Sequence, residues 1–237
     1  MLFQEMNNGL DKEAWGKILH ALEKLDQAYE KVNITVSLGF SRILRYKIAS
    51  MLRVKHGMRI LDVGSGPGNM AEVLEPLVGR NGIIYCYDAS LKLLKLAKRR
   101  VGSRSFVVGL MEDMPFRSNF FDVVVYSFSI RDAISRTDTL SEAHRILKKG
   151  GRIGIVELVR PDNRFKAGIL DFYVEHVVPI LSMGFYGSLD TPWRYLSKTL
   201  RSMDTANEIV RRISDVFEVE DCCIFFGCLC SIVARKV

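Results

Sequence analysis

The sequence predicts an α/β protein built on a doubly wound, mostly parallel sheet of seven strands, with helices before it and a helical insertion near 162–200. Three observations carry that expectation. Between residues 57 and 160, short apolar runs alternate with segments of helical periodicity, the pattern of a parallel sheet wrapped by helices. The run Arg59-Ile-Leu-Asp-Val63 passes directly into Gly64-Ser-Gly-Pro-Gly68, after which Asn69-Met-Ala-Glu-Val-Leu74 opens a helix. A second strand, Gly82-Ile-Ile-Tyr-Cys-Tyr87, ends in Asp88.

The elements follow in order. Residues 11–30 place Trp15, Ile18, Leu19, Leu22 and Leu25 at the spacing of an amphipathic helix. Residues 40–54 repeat it with Ile43, Leu44, Ile48 and Leu52. Strands are expected at 59–63, 83–87, 104–108, 121–127 and 152–157, and helices at 69–78, 90–101 and 137–147. Lys149-Gly150-Gly151 reads as the stop of the last helix, and Lys98-Arg99-Arg100 and Lys148-Lys149 as cations at helix C-termini. Residues 162–189 are apolar and aromatic with sparse charge. That stretch reads as a long irregular connection acting as a lid, or else as a packed helical pair. A helix at 204–213 leads to closing strands at 217–226 and 228–235. The chain reads as a single domain, with a helical cap over 1–56, a ligand-binding core over 57–160, a covering insertion over 161–200 and closing elements over 201–237.

Composition sets outer bounds. A chain of 237 residues with 48% hydrophobic residues can bury a sizeable core. A net charge of +7 permits contact with nucleic acid, anionic lipid or acidic substrate without choosing among them. Nucleic acid is not expected, because no separate basic RNA-binding domain is evident. No apolar run reaches the eighteen or so residues that span a bilayer, and the N-terminus lacks the features of a signal peptide. Five cysteines, four of them at 222, 223, 228 and 230, do not make a disulfide framework. A cytoplasmic setting is expected. Zinc is not, since paired cysteine ligands usually stand two residues apart and these cysteines fall on apolar closing strands.

Glycines at 64, 66 and 68 let the backbone turn sharply and approach a ligand closely, beside a helix N-terminus. Asp88 at the next strand end can bind the two hydroxyls of a ribose. The ligand is therefore an adenosine compound. A dinucleotide fingerprint wants its third glycine at the sixth position, where Asn69 stands. Asp62 within the turn is a poor neighbour for a pyrophosphate and a good one for an ammonium group. S-adenosyl-L-methionine (SAM), which carries an amino-acid end, a sulfonium and no phosphate, fits better.

Further along stand Tyr29-Glu-Lys-Val-Asn33, Met114-Pro-Phe116, Ser127-Phe-Ser-Ile-Arg131, Leu147-Lys-Lys-Gly-Gly151, His176-Val-Val-Pro179 and Arg194-Tyr-Leu196. With the glycine turn and Asp88, these residues make the chain resemble the class I SAM-dependent methyltransferases of Rossmann-like fold, and more closely the UbiE-like ubiquinone/menaquinone C-methyltransferases. The resemblance implies that Gly64, Ser65, Gly66 and Gly68 wrap the methionine end, that Asp88 and Ala89 hold the ribose side, and that Ser127 lies beside the cofactor. The family usually has Asp or Asn where Leu110 stands, so Met111 and Glu112 are expected to serve the adenine instead. It usually has Asn where Asp132 stands.

C-methylation of an aromatic ring needs an electron-rich carbon, which deprotonation of an adjacent phenol supplies. A guanidinium is a poor base but stabilises a phenolate, which is the role expected of Arg131. The base is then water, His176 or Asp132. Tyr29 is a candidate contact to cofactor or acceptor, and the aromatic 162–195 segment, with Phe172, Tyr173 and Trp193, is expected to cover the acceptor. Its implied partners are an apolar aromatic or quinol substrate and peripheral contact with the inner face of the membrane, with a homodimer left open. Rival readings are methylation of oxygen or nitrogen on another small metabolite, RNA modification, and SAM binding without catalysis.

Overall fold

The computed structural model describes residues 9, 13, 15–17, 29–102, 105–186, 193, 196–201 and 203–237. Most of the helix expected over 11–30 therefore lies outside the described residues, as do Arg194 and Tyr195 and the side chain of Tyr29. Residues 13 and 15–17 are helical, and from residue 29 two helices follow, α1 (Tyr29–Val36) and α2 (Phe40–Met51). Then come β1 (Arg59–Val63), α3 (Asn69–Val78), β2 (Ile83–Asp88), α4 (Leu91–Arg100), β3 (Ser105–Val108) and β4 (Phe121–Ser127). A short 3-10 turn, Ile130–Asp132, precedes α5 (Arg136–Ile146) and β5 (Leu147–Leu158). The chain closes with α6 (Arg164–Tyr186), α7 (Leu196–Arg201), α8 (Ala206–Ser214), β6 (Glu218–Phe225) and β7 (Leu229–Arg235).

The seven strands form one sheet in the order β3-β2-β1-β4-β5-β7-β6. The β1, β2, β3, β4 and β5 neighbours pair in parallel, and β7 runs antiparallel to both β5 and β6. The doubly wound, mostly parallel sheet read from the sequence is the observed one. Alternation along the strands splits the core between its two faces. Ile60, Ile84, Val123 and Val125 pack against α2, α3 and α4, whereas Leu61, Val63, Tyr87 and Val124 face the side covered by α5 and α8. Asp62 falls on the first of these faces by the same period of two. The strand order reverses between the parallel neighbours β1 and β4, so their carboxyl ends open a crevice, where ligands of such sheets bind.

Three local expectations are corrected. First, α5 stops at Ile146, and Lys148 to Gly151 belong to β5. Pairing of Leu147 with Phe121 pulls this segment into the sheet, so Lys148 meets Asp122 (2.5 Å) rather than a helix end. Gly150, at φ +74, donates to the carbonyl of Lys236 (2.8 Å), which ties the segment to the chain's end. Second, the stretch after 162 is ordered: α6 runs unbroken for 23 residues, with a π-helical turn at Tyr173–Val177. Third, although no uninterrupted apolar run is present, α6 is long and apolar enough to cross a membrane by length and composition alone. The core helix of a soluble protein passes the same test, but only 17% of its most apolar window is buried here.

Candidate functional site

The site grows from the end of β1. Gly64 and Gly66 adopt φ of +64 and +52, a region open to glycine at no steric cost. A Cβ on Gly64 would lie 2.4 Å from that of Ser129, whereas one on Gly66 would meet nothing within 4 Å. The first glycine is needed to bring the strand ends together, and the second leaves room in front of the turn. The Gly66 amide donates to Asp88 Oδ2 and the Ser90 amide to Asp88 Oδ1, both at 2.8 Å. Asp88 thus joins the turn to the start of α4. Burial raises its pKa, and those two amides oppose the rise.

These residues line a cleft, open to solvent, that encloses about 820 Å³ of space with the solvent at its mouth included. Asp62, Gly64, Ser65, Gly66, Asp88, Ala89, Met111, Ser127, Arg131 and Asp132 all contribute to its wall. Glu112 lines an adjoining recess with Leu110 and Met111. Its Oε1 accepts from the amides of Ile134 (2.6 Å) and Ser135 (3.2 Å), fastening this loop to the start of α5. Gly68 is set back as the N-cap of α3.

Asp62 is fully buried, and neither carboxylate oxygen has a well-aligned hydrogen-bond partner among the described residues. Burial pushes its pKa up to about 7, opposed by the Arg45 guanidinium. A buried anionic group so placed is costly unless a cation arrives to pair with it. An ammonium group at the mouth of a glycine turn meets that need, so the residues present fit the amino-acid end of SAM.

Arg45 is the feature that sequence reading passed over. It is buried on α2, yet lines the cleft, donating from Nη1 to Glu30 Oε1 (3.1 Å) and from Nε to Ser127 Oγ (3.3 Å). Its signal was a charge on the apolar face of an amphipathic helix. Glu157 was passed over for the same reason, being a charge inside the apolar run Ile153-Gly-Ile-Val-Glu-Leu-Val159. It is completely buried, and Arg131 Nη1 reaches its Oε1 at 2.5 Å. Arg131 also stands 3.7 Å from Asp132, whose pKa is pushed up to about 6, by burial first, with Arg131 opposing and Glu157 adding to the rise. Trp15, read from sequence as a helix-face residue, lines both the cleft and its recess.

The described part of the expected covering segment contributes nothing to this wall: among the described residues of 161–200, none lines the cleft or the recess. His176 sits on α6 with its ring 5.0 Å from that of Phe172, and Phe172 itself is 62% exposed. Trp193 is buried against α1, its Nε1 donating to Asn33 Oδ1 (3.2 Å). Its substitution therefore removes packing rather than an acceptor contact. Among the described residues no group of three metal-ligating side chains comes together; Cys222, Cys223, Cys228 and Cys230 lie along the closing β6–β7 hairpin.

The model of the ubiE/COQ5 methyltransferase family matches residues 10–223. The ubiquinone/menaquinone biosynthesis C-methyltransferase UbiE of Coxiella burnetii is 28% identical over 212 residues, covering 87% of this chain and 84% of that protein. The demethylmenaquinone methyltransferase of Thermotoga maritima is 29% identical over 214 residues, covering 88% and 91%. In fold, a SAM-dependent methyltransferase from Aquifex aeolicus aligns with a TM-score of 0.60 at 17% identity, over 81% of this chain and 89% of that one.

Proposed function

We propose, from the premise that this chain belongs to the ubiE/COQ5 methyltransferase family, that it transfers a methyl group to a ring carbon of a quinol. The family makes it a SAM-dependent methyltransferase, with S-adenosyl-L-homocysteine as the second product. The observation that carries the cofactor assignment is the fully buried Asp62 carboxylate beside the glycine turn, whose oxygens have no well-aligned partner among the described residues. SAM, when bound, supplies an electrophilic methyl group.

The chain's own residues divide the remaining work. Asp62 takes the ammonium group, Arg45 the carboxylate beside it, and Asp88 the ribose hydroxyls. Met111 and the loop held by Glu112 bound the adenine recess, with Trp15 covering it. At the opposite wall, Arg131 is held in place by Glu157 and faces the cleft with its positive charge. A phenol hydroxyl set there loses its proton to Asp132, whose carboxylate is ionised at neutral pH. The planar guanidinium stabilises the phenolate. The protein then contributes alignment for an in-line displacement at carbon. The acceptor is of the demethylmenaquinol type that the relatives' names describe. Its apolar tail would keep the enzyme at the inner face of the membrane.

Asp62 makes cofactor binding pH-dependent. Its folded pKa of about 7 lies above the unfolded value. Its stabilising contribution is therefore complete below the unfolded pKa and is lost as pH rises through about 7. An ammonium partner favours the anion and lowers that pKa, so binding releases a proton below the free-state value. SAM affinity should thus rise by up to about tenfold per pH unit below 7 and level off above it. Titration followed by Trp15 fluorescence across mildly acidic to neutral pH reads this directly. Asp62→Asn should flatten the profile and weaken binding. A wild-type affinity indifferent to pH over that range would remove Asp62 from the cofactor site.

A further inference from the structure

Several apolar side chains of the segment that the sequence places over an acceptor face solvent instead, and they are arranged. On α6, Phe165 is 77% exposed, Ile169 55%, Phe172 62%, Ile180 60% and Met183 39%. Phe165, Ile169 and Phe172, spaced by four and three residues, share one stripe of the helix, and Ile180 and Met183 continue the exposed apolar surface beyond the π-helical turn. The tip of the β6–β7 hairpin adds Phe226, 68% exposed, whose ring packs edge-on against Phe40 at 5.1 Å. The tip adjoins the start of α6: a Cβ on Gly227 would lie 3.7 Å from Lys166 Cδ. Helix stripe and hairpin tip are therefore neighbours. Exposed apolar patches of this kind are uncommon on monomeric soluble surfaces and mark docking faces.

Charge identifies the partner. Arg164 and Lys166 flank Phe165 on either side of the stripe, and Lys47 stands over the Phe225 ring at 5.7 Å beside the hairpin tip. The two acidic residues of α6 lie off the stripe and are paired, Asp171 with Arg160 (2.5 Å) and Glu175 with Arg201. The face is thus an apolar band with basic flanks on a chain of net charge +7, the make-up of elements that lie in the interface of an anionic bilayer. A second copy docked stripe to stripe would bring like-charged flanks together. We propose that the exposed stripe of α6, with the hairpin tip, is the face that seats this protein on an anionic lipid surface. This deepens the peripheral placement given above by naming the surface, and its test needs neither SAM nor acceptor.

The test is co-sedimentation of the full chain with vesicles of phosphatidylcholine alone or mixed with phosphatidylglycerol. Wild type should bind the anionic vesicles and be released by salt. Phe165→Glu and Ile169→Glu together, both on exposed positions, should weaken vesicle affinity by about tenfold or more. The same variant should methylate a water-soluble, short-tailed quinol at the wild-type rate. Equal vesicle binding by wild type and variant overturns the proposal. So does a wild-type dimer that the double substitution converts to monomer, which would make the stripe an interface between copies. Failure of the quinol assay with vesicle binding intact would instead fault the acceptor assignment.

Discussion

Arg131→Ala should lower kcat by about two to three orders of magnitude, the usual cost of removing a preorganised donor from a developing anion, and leave SAM affinity within a few-fold. Arg131 lines the cleft on the wall formed by the turn after β4, whereas the residues proposed to hold the cofactor come from β1, α2 and the end of β2. The substitution also strands Glu157, fully buried and paired with Arg131. Breaking such a pair costs about 3–5 kcal/mol of stability. Two further variants separate chemistry from folding. Arg131→Lys keeps the charge but loses the planar fork, so it should regain much of the stability and little of the rate. Arg131→Ala with Glu157→Gln removes the stranded charge, and should melt nearer to wild type while remaining slow. The pH–rate profile supplies an independent reading. In wild type the rate should rise as pH passes through about 6, where Asp132 ionises, and Asp132→Asn should abolish that limb. A folded Arg131→Ala enzyme with wild-type kcat and an unmoved profile would reduce this residue to an ion pair.

Asp88→Ala should weaken both SAM and S-adenosylhomocysteine by about 1–3 kcal/mol, or roughly five- to 150-fold, through loss of a buried acceptor. Both oxygens of Asp88 already receive amides, from Gly66 and Ser90. The substitution therefore loosens the turn as well as removing the ribose acceptor. Asp88→Asn keeps the volume and one acceptor oxygen, and should fall between the two. Calorimetric titration measures all three proteins. Unchanged affinity in Asp88→Ala would show that the ribose is held elsewhere.

What could be read from residue order was whatever obeys a short period. Short apolar runs alternating with helical segments placed β1, β2 and β4, and with them the crevice at the sheet's carboxyl edge. The glycines of the turn stood out because few other roles require three so close together. α6 hid from the same reading because its apolar residues occupy nearly every side: those facing α1 are core and those on the stripe are exposed, and composition does not separate them. Pairing with β4 claimed Lys148 to Gly151 for a strand, although helix-stop chemistry was locally consistent. The site's hidden members, Arg45 and Glu157, are charges embedded in apolar runs. A buried charge of this kind makes sense only with its partner, and Glu30 for Arg45 and Arg131 for Glu157 stand 15 and 26 residues away. His176 differs: its chemistry was suitable, but on α6 it packs beside Phe172 and is not among the described residues that line the cleft.

The central claim is that a quinol ring carbon receives the methyl group. The direct measurement incubates the purified protein with SAM and a short-tailed demethylmenaquinol kept reduced, followed by mass spectrometry of the product before and after hydrogen exchange. The account predicts a singly methylated quinol that retains both exchangeable hydroxyl protons. A methylated product lacking one of those protons would place the methyl on oxygen, and would contradict the claim, as would no methylated product from an enzyme that binds SAM.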